Sequence, residues 1–175
     1  MTALSGDRLP LSAVSALSLA PRGRPPRVRP IAEGDLPRLA RLDEDVFAEH
    51  AYPFFVLRQL YDVHGEHLLV LDSEDEGELL GYVLVGTQAD RNRSWILGLG
   101  IDRRSRGRGF GRQLMAEALR RLRADGVGEV RLTVEPANTA AVELYASLGF
   151  THLDHRENYF GPGTSRLVMV LPLRP

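Results

Sequence analysis

The chain reads as one mixed α/β domain of the α+β type, residues 27–175, with a mostly antiparallel sheet flanked by helices. Three observations lead there. Short apolar strands alternate with amphipathic helices in an order without internal repeat. A strand near residue 100 runs into a glycine-rich turn that opens a helix. About thirty residues later, a second strand, turn and helix end on Gly149-Phe150.

Taken in order, Arg27 to Ile31 reads as a strand. Gly34-Asp35 opens a helix with Pro37 in its first turn, and Leu36, Leu39, Ala40, Leu42, Val46 and Phe47 follow at helical spacing. A second helix covers Pro53 to Val63. The runs His67–Asp72 and Leu79–Thr87, joined by the acidic turn Ser73–Gly77, read as an antiparallel hairpin. Ser94 to Asp102 is a strand, and Gly98 and Gly100 inside it call for a bulge or a close approach. Gly109 to Ala124 is a helix, with Arg120, Arg121 and Arg123 in its last turns and Gly126 just beyond. A strand at Glu129–Glu135 and a helix at Asn138–Leu148 come next, and strands at Phe150–Arg156 and Ser165–Leu171 close the order.

Residues 1–26 stand apart. They are rich in Ser, Ala, Leu and Pro with no steady period, and read as a disordered extension. The apolar run Leu9–Ala20 has the outline of a signal peptide, but Pro21 after the cleavage point and the scant positive charge before it argue against secretion. A cytoplasmic location is therefore expected.

Composition excludes several chemistries. The chain has 175 residues, 43% of them hydrophobic, and no cysteine, so disulfides, thiolate metal sites and a cysteine nucleophile are out. His50, His64, His67, His152 and His155 lack ligand spacing, so no metal is expected. All 22 basic residues are arginine, which excludes a Walker-type phosphate loop and a Schiff-base lysine. No apolar run is long enough to span a membrane. Residues 31–90 hold three Arg against fourteen acids, whereas residues 101–123 hold eight Arg against two. A short basic segment beside an acidic half suits an anionic cofactor and a cationic acceptor better than nucleic acid.

The glycine-rich turn carries the chemistry. In Ile101-Asp102-Arg103-Arg104-Ser105-Arg106-Gly107-Arg108-Gly109-Phe110-Gly111-Arg112, a turn before a helix aims free amides and the positive helix end at one point. Gly107, Gly109 and Gly111 let a phosphate approach the main chain, and Arg106, Arg108 and Arg112 add mobile positive charge. A dinucleotide fingerprint would need glycine where Arg112 stands. Further on, Asn138 is a good helix cap and Gly149 a good residue to end that helix. Ala141, Leu144, Tyr145 and Leu148 share one helix face, so Tyr145 points inward.

The pattern Arg106-x-x-Gly109-x-Gly111, followed at the right distance by strand–Asn138–helix–Tyr145–Gly149–Phe150, resembles the GCN5-related N-acetyltransferases (GNAT). The resemblance covers roughly residues 27–172 and is specific over 95–150. It implies the GNAT fold, with a splayed strand pair, and acetyl transfer from acetyl-CoA to a primary amine without a covalent enzyme intermediate. By resemblance, the amides of 107 to 112 (Gly107, Arg108, Gly109, Phe110, Gly111 and Arg112) hold the pyrophosphate. Leu99, Gly100 and Ile101 offer backbone bonds to the pantetheine, and Asn138 binds that arm. The Tyr145 hydroxyl protonates the leaving thiolate.

The segments Phe47–Pro53 and Arg156–Phe160 are similar to those that line the acceptor in protein N-terminal acetyltransferases, including the ribosomal-protein alanine type. This implies acceptor contacts at Phe47, Tyr52 and Tyr159. Where that type carries a glutamate base, this sequence has Thr133. Glu135, two positions on and facing the same side, substitutes through a water or merely forms the turn before Pro136. Glu49, His155 and bulk water remain alternatives. The acceptor is a peptide N-terminus or a small cationic amine, and a homodimer is an open expectation. The competing readings are a non-catalytic CoA-binding module and a nucleic-acid-binding protein.

Overall fold

The computed structural model describes residues 25–73, 77–90 and 92–173. The expected extension at 1–26 and the centre of the acidic turn lie almost wholly outside them.

Among the described residues seven strands and four α-helices form: β1 (Arg27–Pro30), α1 (Leu36–Phe47), α2 (Phe54–His64), β2 (Leu68–Asp72), β3 (Leu79–Thr87), β4 (Arg93–Ile101), α3 (Phe110–Ala124), β5 (Glu129–Val134), α4 (Thr139–Ser147), β6 (Thr151–Arg156) and β7 (Arg166–Pro172). The sheet order is β1-β2-β3-β4-β5-β7-β6, antiparallel except for the β4–β5 pair. The mixed α/β class and every expected element are borne out, with ends shifted by one or two residues. The insertion of β7 between β5 and β6 was not among the expectations.

The two faces follow from strand alternation. Leu69, Leu71, Val83 and Val85 pack with α3 and α4, whereas Leu68, Val70, Tyr82 and Leu84 pack with Leu36, Leu39, Leu42 and Leu57 of α1 and α2. Leu114, Met115, Ala118, Leu119 and Leu122 give α3 a buried stripe, each large side chain contributing about 1.5–3 kcal/mol.

Helices α3 and α4 end in the same motif. After α3, Val127 N donates to Leu122 O and Gly126 N to Arg123 O; after α4, Phe150 N donates to Tyr145 O and Gly149 N to Ala146 O. These are paired Schellman bonds, and Gly126 and Gly149 take the left-handed conformation they require, at φ 74° and 95°.

An ion cluster ties the start of α1 to the sheet. Arg29 bonds Asp35 (Nη1–Oδ2, 2.6 Å) and Asp72 (Nη2–Oδ2, 2.6 Å), and Arg38 also bonds Asp35. Burial works to raise the Asp35 carboxyl, but Arg29, the Ala32 amide and Arg38 outweigh it and hold it at about 2.

Candidate active site

The opening in the sheet comes from β4. Its pairing with β5 runs only from Arg93↔Glu129 to Ile96↔Leu132. From Leu97 to Ile101 the β5-facing edge has no ladder partner among the described residues, so the strand edge at Leu99, Gly100 and Ile101 is unpaired on that side, with Ile101 O reached by an arginine side chain. A bulge marks the departure: Val85 pairs Ile96 and Leu84 pairs Gly98, leaving Leu97 extra and 40% exposed.

At the end of β4 lies the glycine-rich turn. Gly107 (φ 75°) and Gly109 (φ 80°) are both left-handed, so only glycine takes this path without strain. Gly109 starts α3 with no side-chain cap, and the first helical bond runs from Gln113 N to Gly109 O. The amides of Phe110, Gly111 and Arg112 are therefore free for an anion. The arginines each have a partner within the protein. Arg106 Nε reaches Ile101 O (3.4 Å), the Arg108 guanidinium lies 4.9 Å from the centre of the Phe110 ring, and Arg112 bonds the Ser147 hydroxyl (2.6 Å).

That last bond links the two halves of the site. Gly111 also packs against α4, since a Cβ there would stand 3.2 Å from Leu144 Cδ2. Asn138 caps α4 by accepting the Ala141 amide (3.2 Å), which leaves its own amide group to project from the exposed turn. Tyr145 is 7% exposed, as its position on the helix face requires. Its ring meets Phe150 edge-on at 6.0 Å, so the Tyr-x-x-x-Gly-Phe pattern fixes it by both a Schellman bond and a ring contact. The Tyr145 hydroxyl has no hydrogen-bond partner among the described residues. Because no fully buried side-chain polar atom lacks a partner there, this oxygen reaches open space. Burial of the ring pushes the hydroxyl up to about 12, so it stays protonated at neutral pH.

On the other face, Phe47 and Tyr52 come to β4. The Phe47 ring edge lies 3.5 Å from where a Gly100 Cβ would stand, and the Tyr52 hydroxyl donates to Leu97 O (3.2 Å). Tyr159 is on the β6–β7 connection instead, its amide bonded to Thr164 O. Topology sets that connection at the same sheet end as Glu135, because Leu167 pairs Val134. Glu135 is exposed and makes no ion pair or hydrogen bond through its side chain among the described residues. Of the other base candidates, His155 Nε2 is engaged with Ser165 Oγ (2.5 Å), and Glu49 is exposed beside His50.

Two residues here were missed in the sequence. Asp43, 1% exposed, accepts from the Tyr82 hydroxyl and from the Tyr52 amide (2.6 Å). Burial pushes its carboxyl up against the pull of those two bonds, and burial with the Asp43 charge raises both tyrosines. The signal was present, since Asp43 stands four residues from both Leu39 and Phe47 on the apolar face of α1. Tyr82 explains the β4 glycines: a Cβ at Gly100 would lie 2.6 Å from Tyr82 Cε1, and one at Gly98 3.0 Å from its hydroxyl.

Residues 35–150 match the model of the acetyltransferase (GNAT) family. The chain belongs to that family. As a GNAT protein it is an acetyl-CoA-dependent N-acetyltransferase, and acetyl transfer to an amine is the family's general activity. It is 27% identical over 142 residues to the [ribosomal protein bS18]-alanine N-acetyltransferase of Escherichia coli (strain K12), covering 79% of this chain and 92% of the relative. It is 37% identical over 98 residues to mycothiol acetyltransferase of Thermobispora bispora, which covers 56% of this chain but only 30% of that protein. A solved NatC complex bound to Gag peptide and CoA shares the fold at TM-score 0.77 and 22% identity, over 85% of this chain and 99% of that one. No helix among the described residues is long and apolar enough to cross a membrane.

Proposed function

We propose that this GNAT enzyme moves the acetyl group of acetyl-CoA directly to a polypeptide N-terminal amine. The observation that carries the reading is the divergence of β4 from β5 after Ile96, with the free amides of α3 at the end of the same strand. That arrangement suits an extended thioester whose pyrophosphate is held by the amides of 107 to 112 and whose pantetheine pairs with Leu99–Ile101. The Asn138 amide group holds the same arm from the facing turn.

The amine nitrogen attacks the thioester carbonyl, the C–S bond breaks, and the sulfur leaves as thiolate. Tyr145, protonated and without a competing partner, donates to that sulfur. Before attack the acceptor ammonium gives one proton to water ordered by Glu135, the one unpaired carboxylate at the C-terminal end of β5 among the described residues, and the nitrogen loses its second proton to water as the amide forms. Phe47, Tyr52 and Tyr159 border the acceptor. A peptide is favoured because the bS18-alanine enzyme aligns over nine-tenths of its length. A small amine is the second reading, supported by the higher local identity to the mycothiol enzyme.

The test is thiol release from acetyl-CoA with hexapeptides of varied first residue, beside polyamines and amino sugars. Turnover with peptides whose N-terminus is free, abolished when that terminus is blocked, supports the reading. Turnover only with small amines replaces it by the second.

A further inference from the structure

One buried acid on the acceptor face has no part in the chemistry above, yet reaches β4 by two routes. Asp43 is 1% exposed on α1, whose other buried residues are Leu36, Leu39 and Leu42, and a leucine there would not require desolvating a carboxylate. Its first route runs through Tyr52, whose amide it holds (2.6 Å) and whose hydroxyl holds Leu97 O (3.2 Å). The second runs through the Tyr82 hydroxyl to the ring that fills the space over Gly98 and Gly100. One arm therefore meets β4 at the bulge residue Leu97 and the other just beyond it at Gly98 and Gly100, in the stretch with no β5 partner.

We propose that Asp43 is a positioning residue for the acceptor: through Tyr52 and Tyr82 it sets the α1–α2 connection and the Leu97–Gly100 stretch against which the amine is presented. The role is geometric. Both donors converge on one small side chain, and each tyrosine runs from it to β4. An asparagine keeps the arrangement, accepting the Tyr52 amide with its oxygen and donating to the Tyr82 hydroxyl with its nitrogen. A leucine fills the volume and keeps neither bond. The helices α3 and α4 pack on the opposite face, so the pyrophosphate and Tyr145 ends of the acetyl-CoA site are built without Asp43.

The inference rests on the acyl-transfer reading, and its test compares Asp43→Leu, Asp43→Asn, Tyr52→Phe and Tyr82→Phe. The readouts are acceptor KM with an alanine-initiated hexapeptide, acetyl-CoA affinity by calorimetry, and hydrogen exchange of residues 47–53. Asp43→Leu is expected to raise acceptor KM about tenfold and speed exchange of the Tyr52 amide, with acetyl-CoA affinity within twofold of wild type. Asp43→Asn restores KM to within about threefold. Each tyrosine variant raises KM about threefold, which keeps the test open should the leucine variant fail to fold. Unchanged KM in all four variants overturns the proposal while leaving the function standing. Asparagine as damaging as leucine also overturns it, in favour of a role for the charge. A wild type that binds acetyl-CoA yet acetylates neither peptides nor small amines removes the functional reading, and this inference with it.

Discussion

Replacing Tyr145 by phenylalanine removes one oxygen and leaves the rest of the site in place. The ring keeps its edge contact with Phe150, and the hydroxyl has no partner among the described residues that would be orphaned. Folding stability should therefore hold within about 0.5 kcal/mol. The rate effect follows from the hydroxyl's position on the pKa scale. It sits at about 12, against about 8.5 for an ordinary thiol. Complete proton transfer to a free thiolate is then uphill by roughly 5 kcal/mol, at about 1.36 kcal/mol per unit. The gain comes instead from a hydrogen bond to the sulfur as its charge develops, worth about 1.5–3 kcal/mol. Converted at that rate, Tyr145→Phe lowers kcat by about ten- to 150-fold, reaching only the bottom of the range of about 10²–10⁴ for general acids. Because the group titrates near 12, the wild-type to variant ratio stays constant between pH 6 and 10. Thiol-release assays across that window measure both quantities. Full activity in the variant, or a ratio that collapses near pH 8 to 9, would refute the reasoning.

Three other perturbations separate binding from folding. Asn138→Asp keeps a good helix cap but loses the amide donor, so thermal stability should be preserved while acetyl-CoA affinity falls about three- to tenfold by calorimetry. Gly100→Ala places a Cβ 2.6 Å from the buried Tyr82 ring and should cost about 1–3 kcal/mol in urea unfolding, whereas Gly34→Ala, with nothing within 4 Å, should be near neutral. Asp35, lowered from 3.8 to about 2 in the folded chain, contributes about 2 kcal/mol that is present above pH 4. Between pH 4 and 2 the unfolded state binds more protons, so this part is lost as pH falls; an Asp35→Asn variant, weaker at neutral pH, lacks that part of the decline.

The parts of the site legible in the sequence are those built by local geometry. The left-handed glycines of the glycine-rich turn and the Schellman ends of α3 and α4 involve residues within six positions of each other, so composition at fixed offsets reveals them. Tyr145 was readable for the same reason, because its partner Phe150 lies five residues away. Gly98 and Gly100 signalled a bulge or a close approach, and both occur, but the approaching group comes from β3 and depends on strand register. Asp43 was harder still. A single acid in an amphipathic helix reads by default as solvated, and its burial is decided by Tyr82 and Tyr52, 39 and 9 residues away. The proposed acceptor residues lie at the end of α1 and on two connections whose sequences carry little periodicity, so they were approached through resemblance. Of them, Phe47 and Tyr52 are brought to one place on β4, and Tyr159 stands on a separate connection.

The central claim is that the gap after Ile96 and the amides of α3 form one acetyl-CoA site. Calorimetric titration of the full chain with acetyl-CoA, beside an Arg106→Ala/Arg108→Ala variant, tests it most directly. The account predicts micromolar affinity in the wild type, weakened at least tenfold in the variant and weakening with salt. No binding by the wild type, or binding indifferent to both arginines and salt, would contradict it.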